Sequence, residues 1–204
     1  MDEKALIQRV LSGDHEAFAE LVEAHEKPVY NLCLRMCGNQ EDAKDLAQEA
    51  FVKAWRGLRF YKFESAFSTW LYRLTTNVCI DFLRKQKRRP TVSLTIQDED
   101  ETAVELELRD EAPLPEEQVL HREKQQRILA AMEQLEEEFR SVLVLRVLED
   151  LTYEQIGEIL DLKPGTVKSR LARARIKLKD LLEAGNKPDR RSSKQTQRRA
   201  ENDL

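Results

Sequence analysis

Residues 152–179 read TYEQIGEILDLKPGTVKSRLARARIKLK, and this stretch decides the fold. It contains two short helices joined by a tight turn. Thr152 and Gln155 have the spacing of a capping box, in which side chain and backbone satisfy each other's first-turn donors. Asp161 falls at the turn, where a short polar side chain tolerates a left-handed backbone. Pro164 suits the first position of the second helix, whose N–H has no intrahelical partner. Val167, Leu171, Ala174, Leu178 and Leu181 then recur at i, i+4, i+7, i+11 and i+14, which is one buried stripe. Lys163, Lys168, Arg170, Arg173, Arg175, Lys177 and Lys179 supply positive charge with no acid among them. Thr166, Ser169, Arg170, Arg173 and Lys177 lie off the stripe, free to meet a polyanion. A basic run alone reads as a solvated helix face. A capped helix, a turn and an amphipathic basic helix together read as a helix-turn-helix with the recognition helix second.

The rest of the chain fits a helical protein. Of 204 residues, 41% are hydrophobic and 35% charged, and only 6 Gly and 6 Pro occur. Alternating β-branched runs are scarce, so the expected class is all-α. The N-terminus lacks the apolar core of a signal peptide, and no stretch approaches a membrane span. A cytoplasmic protein without membrane insertion is therefore expected. Cys33, Cys37 and Cys79 make an odd count. Buried thiols acting as small hydrophobes are the default for them, and a metal or redox site with His25 is the weaker alternative, because C-x3-C lacks the usual ligand geometry. No cofactor is expected.

A net charge of −4 looks wrong for a nucleic-acid binder, and its distribution explains why. Residues 91–118 hold ten acids against one base, Arg109, a net −9 that leaves +5 for the remainder. Pro90, Pro113 and Pro115 punctuate that stretch. It reads as a flexible acidic linker between helical domains at 1–90 and 119–184. Residues 185–204 read as a disordered basic tail.

In the first domain, Asp14 can cap a helix running to about Ala24, and a second helix follows Pro28 and ends near Gly38. A third places Ala43, Leu46, Ala47, Ala50, Phe51, Ala54, Trp55 and Leu58 on one face. Asp42, Asp45, Gln48 and Glu49 then point outward, as a solubilising face or a docking one. A fourth runs from near Ser65 towards Arg88 on a stripe of Phe67, Leu71, Leu74, Val78 and Phe82. Arg73, Asn77, Asp81 and Arg84 share a sector away from that stripe. Before it lies the aromatic loop Phe60-Tyr61-Lys62-Phe63-Glu64-Ser65. Basic charge attracts phosphates and aromatic faces can hold unstacked bases. Phe67 and Trp70 fit either the core or that surface.

Three segments, EDAKDLAQEAFVKAW (41–55), FSTWLYRLTTNVCIDFLRKQKRR (67–89) and FRSVLVLRVLEDLTYEQIGEILDLKPGTVKSRLARAR (139–175), resemble in this order the two helical domains of bacterial sigma factors of the sigma-70 family. The resemblance is to the small extracytoplasmic-function group, which lacks the larger family's middle domain. It implies a four-helix second domain and several partners. These are core RNA polymerase (the β′ clamp helices and the β subunit), promoter DNA, and an anti-sigma protein, in many relatives anchored in the membrane. By this likeness Asp42, Asp45, Leu46, Gln48 and Glu49 would bind polymerase. Arg73, Asn77, Asp81 and Arg84 would read or hold the −10 element, and Lys62, Phe63 and Ser65 would capture an extruded base. Lys168, Ser169 and Arg173 would face −35 bases, with Arg146, Thr166, Arg170 and Lys177 adding DNA contacts. Lys163 departs from the family's serine-like cap. Asp81 either accepts from a cytosine amino group or pairs with Lys85.

The rivals are a conventional helix-turn-helix regulator acting without polymerase and, more weakly, a DNA-processing enzyme. The first leaves residues 41–89 unexplained. The second lacks a carboxylate–histidine cluster or nucleophile–base pair, so no catalytic residue is expected.

Overall fold

The computed structural model describes residues 2–88 and 126–185. The acidic linker and the basic tail lie outside the described residues. Within them the helices are α1 (Glu3–Leu11), α2 (Glu16–Cys37), α3 (Gln40–Gly57), α4 (Phe67–Arg88), α5 (126–133), α6 (Glu137–Leu143), α7 (Tyr153–Leu160) and α8 (Pro164–Gly185). A 3-10 turn, Leu58–Phe60, follows α3, and a π turn, Val144–Leu148, follows α6. The first four helices form one bundle and the last four a second, as an all-α reading requires.

Helix α2 corrects the sequence reading. It is continuous through Pro28, where two helices are expected. Proline removes one backbone hydrogen bond and crowds the preceding turn, a cost of about 3 kcal/mol in a helix interior. Leu21, His25, Val29, Leu32 and Met36 form an unbroken buried stripe across it. Burying one such aliphatic side chain stabilises by about 1.5–3 kcal/mol, so the stripe outweighs the break. Asp14 does act at the start, its Oδ1 accepting from Glu16 N and Ala17 N at 3.1 and 3.2 Å. At the other end Gly38 closes the helix in a left-handed conformation, φ +79°, which glycine adopts without a Cβ penalty.

Helix α1 is absent from the sequence reading because nine residues carry too few apolar positions to declare a period. Asp2 caps it, and Leu6 and Ile7 bury against the bundle. On α3, Ala43, Leu46, Ala47, Ala50 and Ala54 are buried. Trp55 is not: it stays 40% exposed, packed by its edge on Phe18 and beside His15.

On α4 the expected stripe is displaced. Phe67, Leu71 and Val78 are buried, while Leu74 and Phe82 are only half-buried and Thr75, Thr76, Cys79 and Leu83 are covered instead. The second bundle accounts for the difference. Helices α6 and α7 pack against α4, and the buried apolar residues of both halves form one continuous cluster. Thus α4 has two buried sides, and a single-stripe pattern captures only one.

The helix-turn-helix follows its sequence closely. Thr152 Oγ1 accepts from Gln155 N, and Gln155 Oε1 accepts from Thr152 N at 2.9 Å, completing the capping box. Asp161 is left-handed at φ 55°, ψ 51°. Val167, Leu171 and Ala174 are buried, with Leu178 and Leu181 half-buried below them. Gly157 sets the closeness of the two helices, since a Cβ there would stand 2.6 Å from Leu162 O.

The thiols of Cys33 and Cys79 are fully buried, and all three cysteines are free. Among the described residues no group of His, Cys, Asp or Glu is arranged to hold a metal, and no helix is long and apolar enough to cross a membrane.

Two outcomes follow from this packing. Gly157→Ala should lower the unfolding free energy by about 1–3 kcal/mol through overpacking against a carbonyl that cannot rotate away, read by urea denaturation. Burial pushes the Cys37 thiol up to about 11, so at pH 8 it should be alkylated by iodoacetamide roughly a hundredfold more slowly than free cysteine. Its rate should rise as the pH approaches 11, followed by mass spectrometry.

Candidate nucleic-acid interface

The recognition helix α8 enters through Lys163, whose carbonyl accepts from Thr166 N and Val167 N at 2.8 and 3.1 Å. Burial of Val167, Leu171 and Ala174 turns the opposite side to solvent, and Thr166, Lys168, Ser169 and Arg173 stand exposed there. Ser169 donates to Thr166 O at 3.0 Å. Lys168 and Arg173 have no ion-pair partner among the described residues, so both heads are available to a phosphate or a base edge.

Three further residues of the proposed set are engaged within the second bundle. Lys177 Nζ lies 2.6 Å from Glu136 Oε2 and 4.4 Å from the Phe139 ring centroid. Arg170 pairs with Glu138 at 3.2 Å. Arg146 donates to Asp150 Oδ1 and to Leu151 O, both at 3.0 Å, and stands over Tyr153. Its guanidinium thus braces the connection into α7, where Asp150 takes a positive φ of 50°.

In the first bundle, Arg73, Asn77, Asp81 and Arg84 are all exposed and line one side of α4. Asp81 has no ion-pair partner among the described residues, Lys85 included. Arg84 instead pairs with Glu137 at 3.2 Å, beside Lys87. The loop before α4 is held by Tyr61, which donates to Ser65 O at 2.6 Å and packs against Phe67 and Trp70. Trp70 is half-buried. Phe63 takes φ 59°, a left-handed conformation that costs a bulky residue roughly 1–2 kcal/mol. Its ring is 39% exposed, 4.8 Å from that of Tyr61, with Lys4 Nζ 5.8 Å from its centroid. Lys62 is exposed and Ser65 half-buried beside it.

Two members of this surface are not singled out by the sequence, which offers Phe60 only as part of the aromatic loop and Lys4 not at all. Phe60 is 68% exposed with the Arg59 guanidinium 4.7 Å from its ring, and Lys4 arrives from α1. Nothing in the local pattern separates Phe60 from its buried neighbour Tyr61, and Lys4 is distant in sequence.

The outward side of α3 shows Asp45, Gln48 and Glu49 exposed, with Glu49 paired to Lys53 at 2.9 Å. Asp42 is half-buried, and burial first, then Asp45 and Glu41, raises its carboxyl above the usual range. Leu46 is only 4% exposed, so its side chain belongs to the core and not to that surface. Beside this face runs a groove of about 800 Å³ between α2 and α3, lined by Val22, Tyr30, Lys44, Phe51 and Val52 among others.

Two family models match the two bundles in order: Sigma-70 region 2 over residues 21–89 and Sigma-70 region 4 over residues 125–178. The chain is also 36% identical to the ECF RNA polymerase sigma factor SigW of Bacillus subtilis over 179 residues, 88% of this chain and 96% of that protein. This chain belongs to the extracytoplasmic-function sigma factors of the sigma-70 family. The sigma-E factors of Haemophilus influenzae and Escherichia coli K12 are each 38% identical, covering 86% of this chain and 92% and 91% of theirs. The fold of this sigma factor matches CnrH solved with the cytosolic domain of CnrY, with a TM-score of 0.62 at 24% identity over 89% of this chain and 97% of that one. It also matches the sigma factor RpoE of Bartonella quintana solved with NepR, with a TM-score of 0.58 at 23% identity over 81% and 96%.

Because Arg146 holds a carboxylate and a carbonyl, Arg146→Ala should destabilise this sigma factor by about 1–3 kcal/mol even without DNA. Thermal unfolding monitored by circular dichroism checks it, and an unchanged midpoint would show that these contacts do not support the fold.

Proposed function

We propose that this sigma factor divides promoter recognition between its two bundles, with the surfaces above in distinct roles. The observation that carries the reading is the coexistence, on one chain, of an exposed basic recognition helix and an exposed polar α4 face beside a strained aromatic loop. Lys168, Ser169 and Arg173 read the −35 element in the major groove, where guanidinium and ammonium groups meet guanine acceptors. Arg73, Asn77, Asp81 and Arg84 engage the −10 element, and Lys62, Phe63 and Ser65 hold a base drawn from the stack. Asp42, Asp45, Gln48 and Glu49 contact the polymerase.

The mechanism needs no catalytic residue. Unstacking a base costs a few kcal/mol, and stacking it on an aromatic side chain returns roughly 1–3 kcal/mol. Phe63, held in its left-handed conformation before DNA arrives, has already met its ordering cost. Two modest domains become specific together because the shared polymerase raises the effective concentration of each. The solved likenesses CnrH and RpoE are complexes with CnrY and with the anti-sigma factor NepR. By that likeness an anti-sigma partner controls this chain as well, and the site of action is the cytoplasm, where polymerase and promoter meet. A helix-turn-helix regulator working without polymerase leaves residues 21–89 without a task.

Purified core polymerase and a promoter library test the assignment. Arg173→Ala should reduce use of promoters that depend on their −35 element about tenfold, the loss of one good base contact at about 1–3 kcal/mol, with polymerase affinity unchanged. Asp45→Ala with Glu49→Ala should do the reverse, weakening polymerase capture in a pull-down. Equal loss of polymerase binding in both variants would overturn the division of surfaces.

A further inference from the structure

A cleft of about 360 Å³ opens where the end of α1, the turn into α2, the end of α3 and the 3-10 turn converge. That volume is at the small end of ligand sites, room for one nucleotide and too little for a duplex. Leu11, His15, Trp55, Arg56, Leu58 and Arg59 line it, Leu58 buried and the other five exposed. The indole of Trp55 is held in place. Phe18 meets it edge-on at 4.8 Å, and the His15 ring centroid lies 5.2 Å from its own. His15 makes no capping hydrogen bond at the start of α2, which leaves its ring nitrogens open to a base edge.

The charge of this cleft is positive. No carboxylate lines it, and neither Arg56 nor Arg59 has an ion-pair partner among the described residues. The acids nearest in sequence to His15 are already engaged, since Asp14 and Glu20 hold Arg9 at 2.8 and 3.1 Å. Free guanidinium groups beside an open aromatic face are what single-stranded nucleic acid requires, cations for its backbone and a π face for its base. An amphipathic partner helix calls instead for a long apolar groove.

Helix α1 ties the cleft to the aromatic loop. Lys4 Nζ lies 5.8 Å from the Phe63 ring centroid, and Leu11 lines the cleft. Two turns of helix separate these residues, so they share one face of α1 and stand about 10 Å apart along its axis. Three nucleotide steps at ~3.4 Å cover the same span. One strand can therefore meet Phe63 and Trp55 in turn. Leu11, Trp55, Phe60 and Phe63 are four of the seven large apolar side chains exposed among the described residues. Single exposed apolar residues are ordinary, whereas a gathering along one edge marks a binding surface.

We propose that this cleft is a second nucleotide site, in which Trp55 stacks an unpaired base of single-stranded DNA while Arg56 and Arg59 hold its phosphates. Placement on the melted promoter strand rests on the promoter reading above, whereas the aromatic and cationic cleft stands on geometry alone. A second held base keeps the strand from re-pairing once the first has been drawn out. After one base is seated the other binds within the same complex, at a high effective concentration.

The test titrates the full chain with a fluorescent oligothymidylate of about 12 nucleotides, within the usual site sizes, and with an abasic oligomer of equal length. Anisotropy should show Trp55→Leu and Arg59→Gln each weakening oligothymidylate binding about tenfold, the loss of one stacked base or its anchor. Lys27→Gln, an equal charge change on an exposed residue of α2, should change it less than twofold. Trp70→Phe leaves Trp55 the sole tryptophan, and its emission should be quenched by oligothymidylate but not by the abasic oligomer. This readout and Arg59→Gln keep the test informative where Trp55→Leu fails to fold. No binding by wild type, no quench at saturation, or equal weakening by Arg59→Gln and Lys27→Gln overturns the proposal. So does a loss of core polymerase capture in Arg59→Gln with oligothymidylate binding intact, which would make the cleft a protein contact. Phe63→Ala separates this site from the loop reading. Affinity kept in Phe63→Ala but lost in Trp55→Leu sinks the loop and supports the cleft, and the converse sinks the cleft alone.

Discussion

The guanidinium of Arg140 holds the junction of this protein together. It is 4% exposed and donates to Met36 O in α2, to Glu133 O at the end of α5, and to Leu135 O in the segment leading to α6. Burial lowers its pKa, yet an arginine remains charged even so. Desolvating such a charge is expensive unless oxygen atoms surround it. Here the last carbonyls of two helices supply them, at helix ends where the dipole is negative. The same contacts satisfy carbonyls that a helix terminus leaves without partners. One side chain therefore fixes the angle between α5 and α6 and seats both on the first bundle.

From that seating the rest of the arrangement follows. With α6 docked, the π turn leaves Leu148 O and Glu149 facing Arg35, and α7 covers a second side of α4. The apolar cluster then becomes continuous through both bundles. The polar sides of α4 and α8 stay outside it, because each is polar or charged and would be costly to bury. On each of these two helices one side joins the apolar cluster and the other stays with solvent.

Charge is segregated as well as placed. Ten acids concentrated at 91–118 conceal a chain that is basic elsewhere. Among the described residues, Glu136 pairs with Lys177, Glu137 with Arg84 and Lys87, and Glu138 with Arg170. Lys177 is the largest cause drawing the Glu136 carboxyl below its usual range, and for Glu137 a backbone hydrogen bond leads, with Arg84 and Lys87 behind it.

The helix-turn-helix was legible residue by residue, since its cap, turn and stripe are local signals separated by a few positions. The family was legible too, as three motifs in order. Pro28 misled because a local breaker is overruled by a buried stripe that only packing reveals. Leu46 and Trp55 share the apolar face that the period predicts, yet Leu46 enters the core while Trp55 remains at the rim, since periodicity gives a face and not its depth. The exposure of Phe60 beside buried Tyr61 follows from a 3-10 turn and the neighbours it meets. By itself the sequence determined the all-α class, the two helical halves, the recognition helix and the segregation of charge, because each is written in spacing and composition. Only the tertiary structure decided which glutamates hold which cations and how the halves join. Those contacts link residues 32 to 114 positions apart, and no local pattern specifies a pairing at that distance.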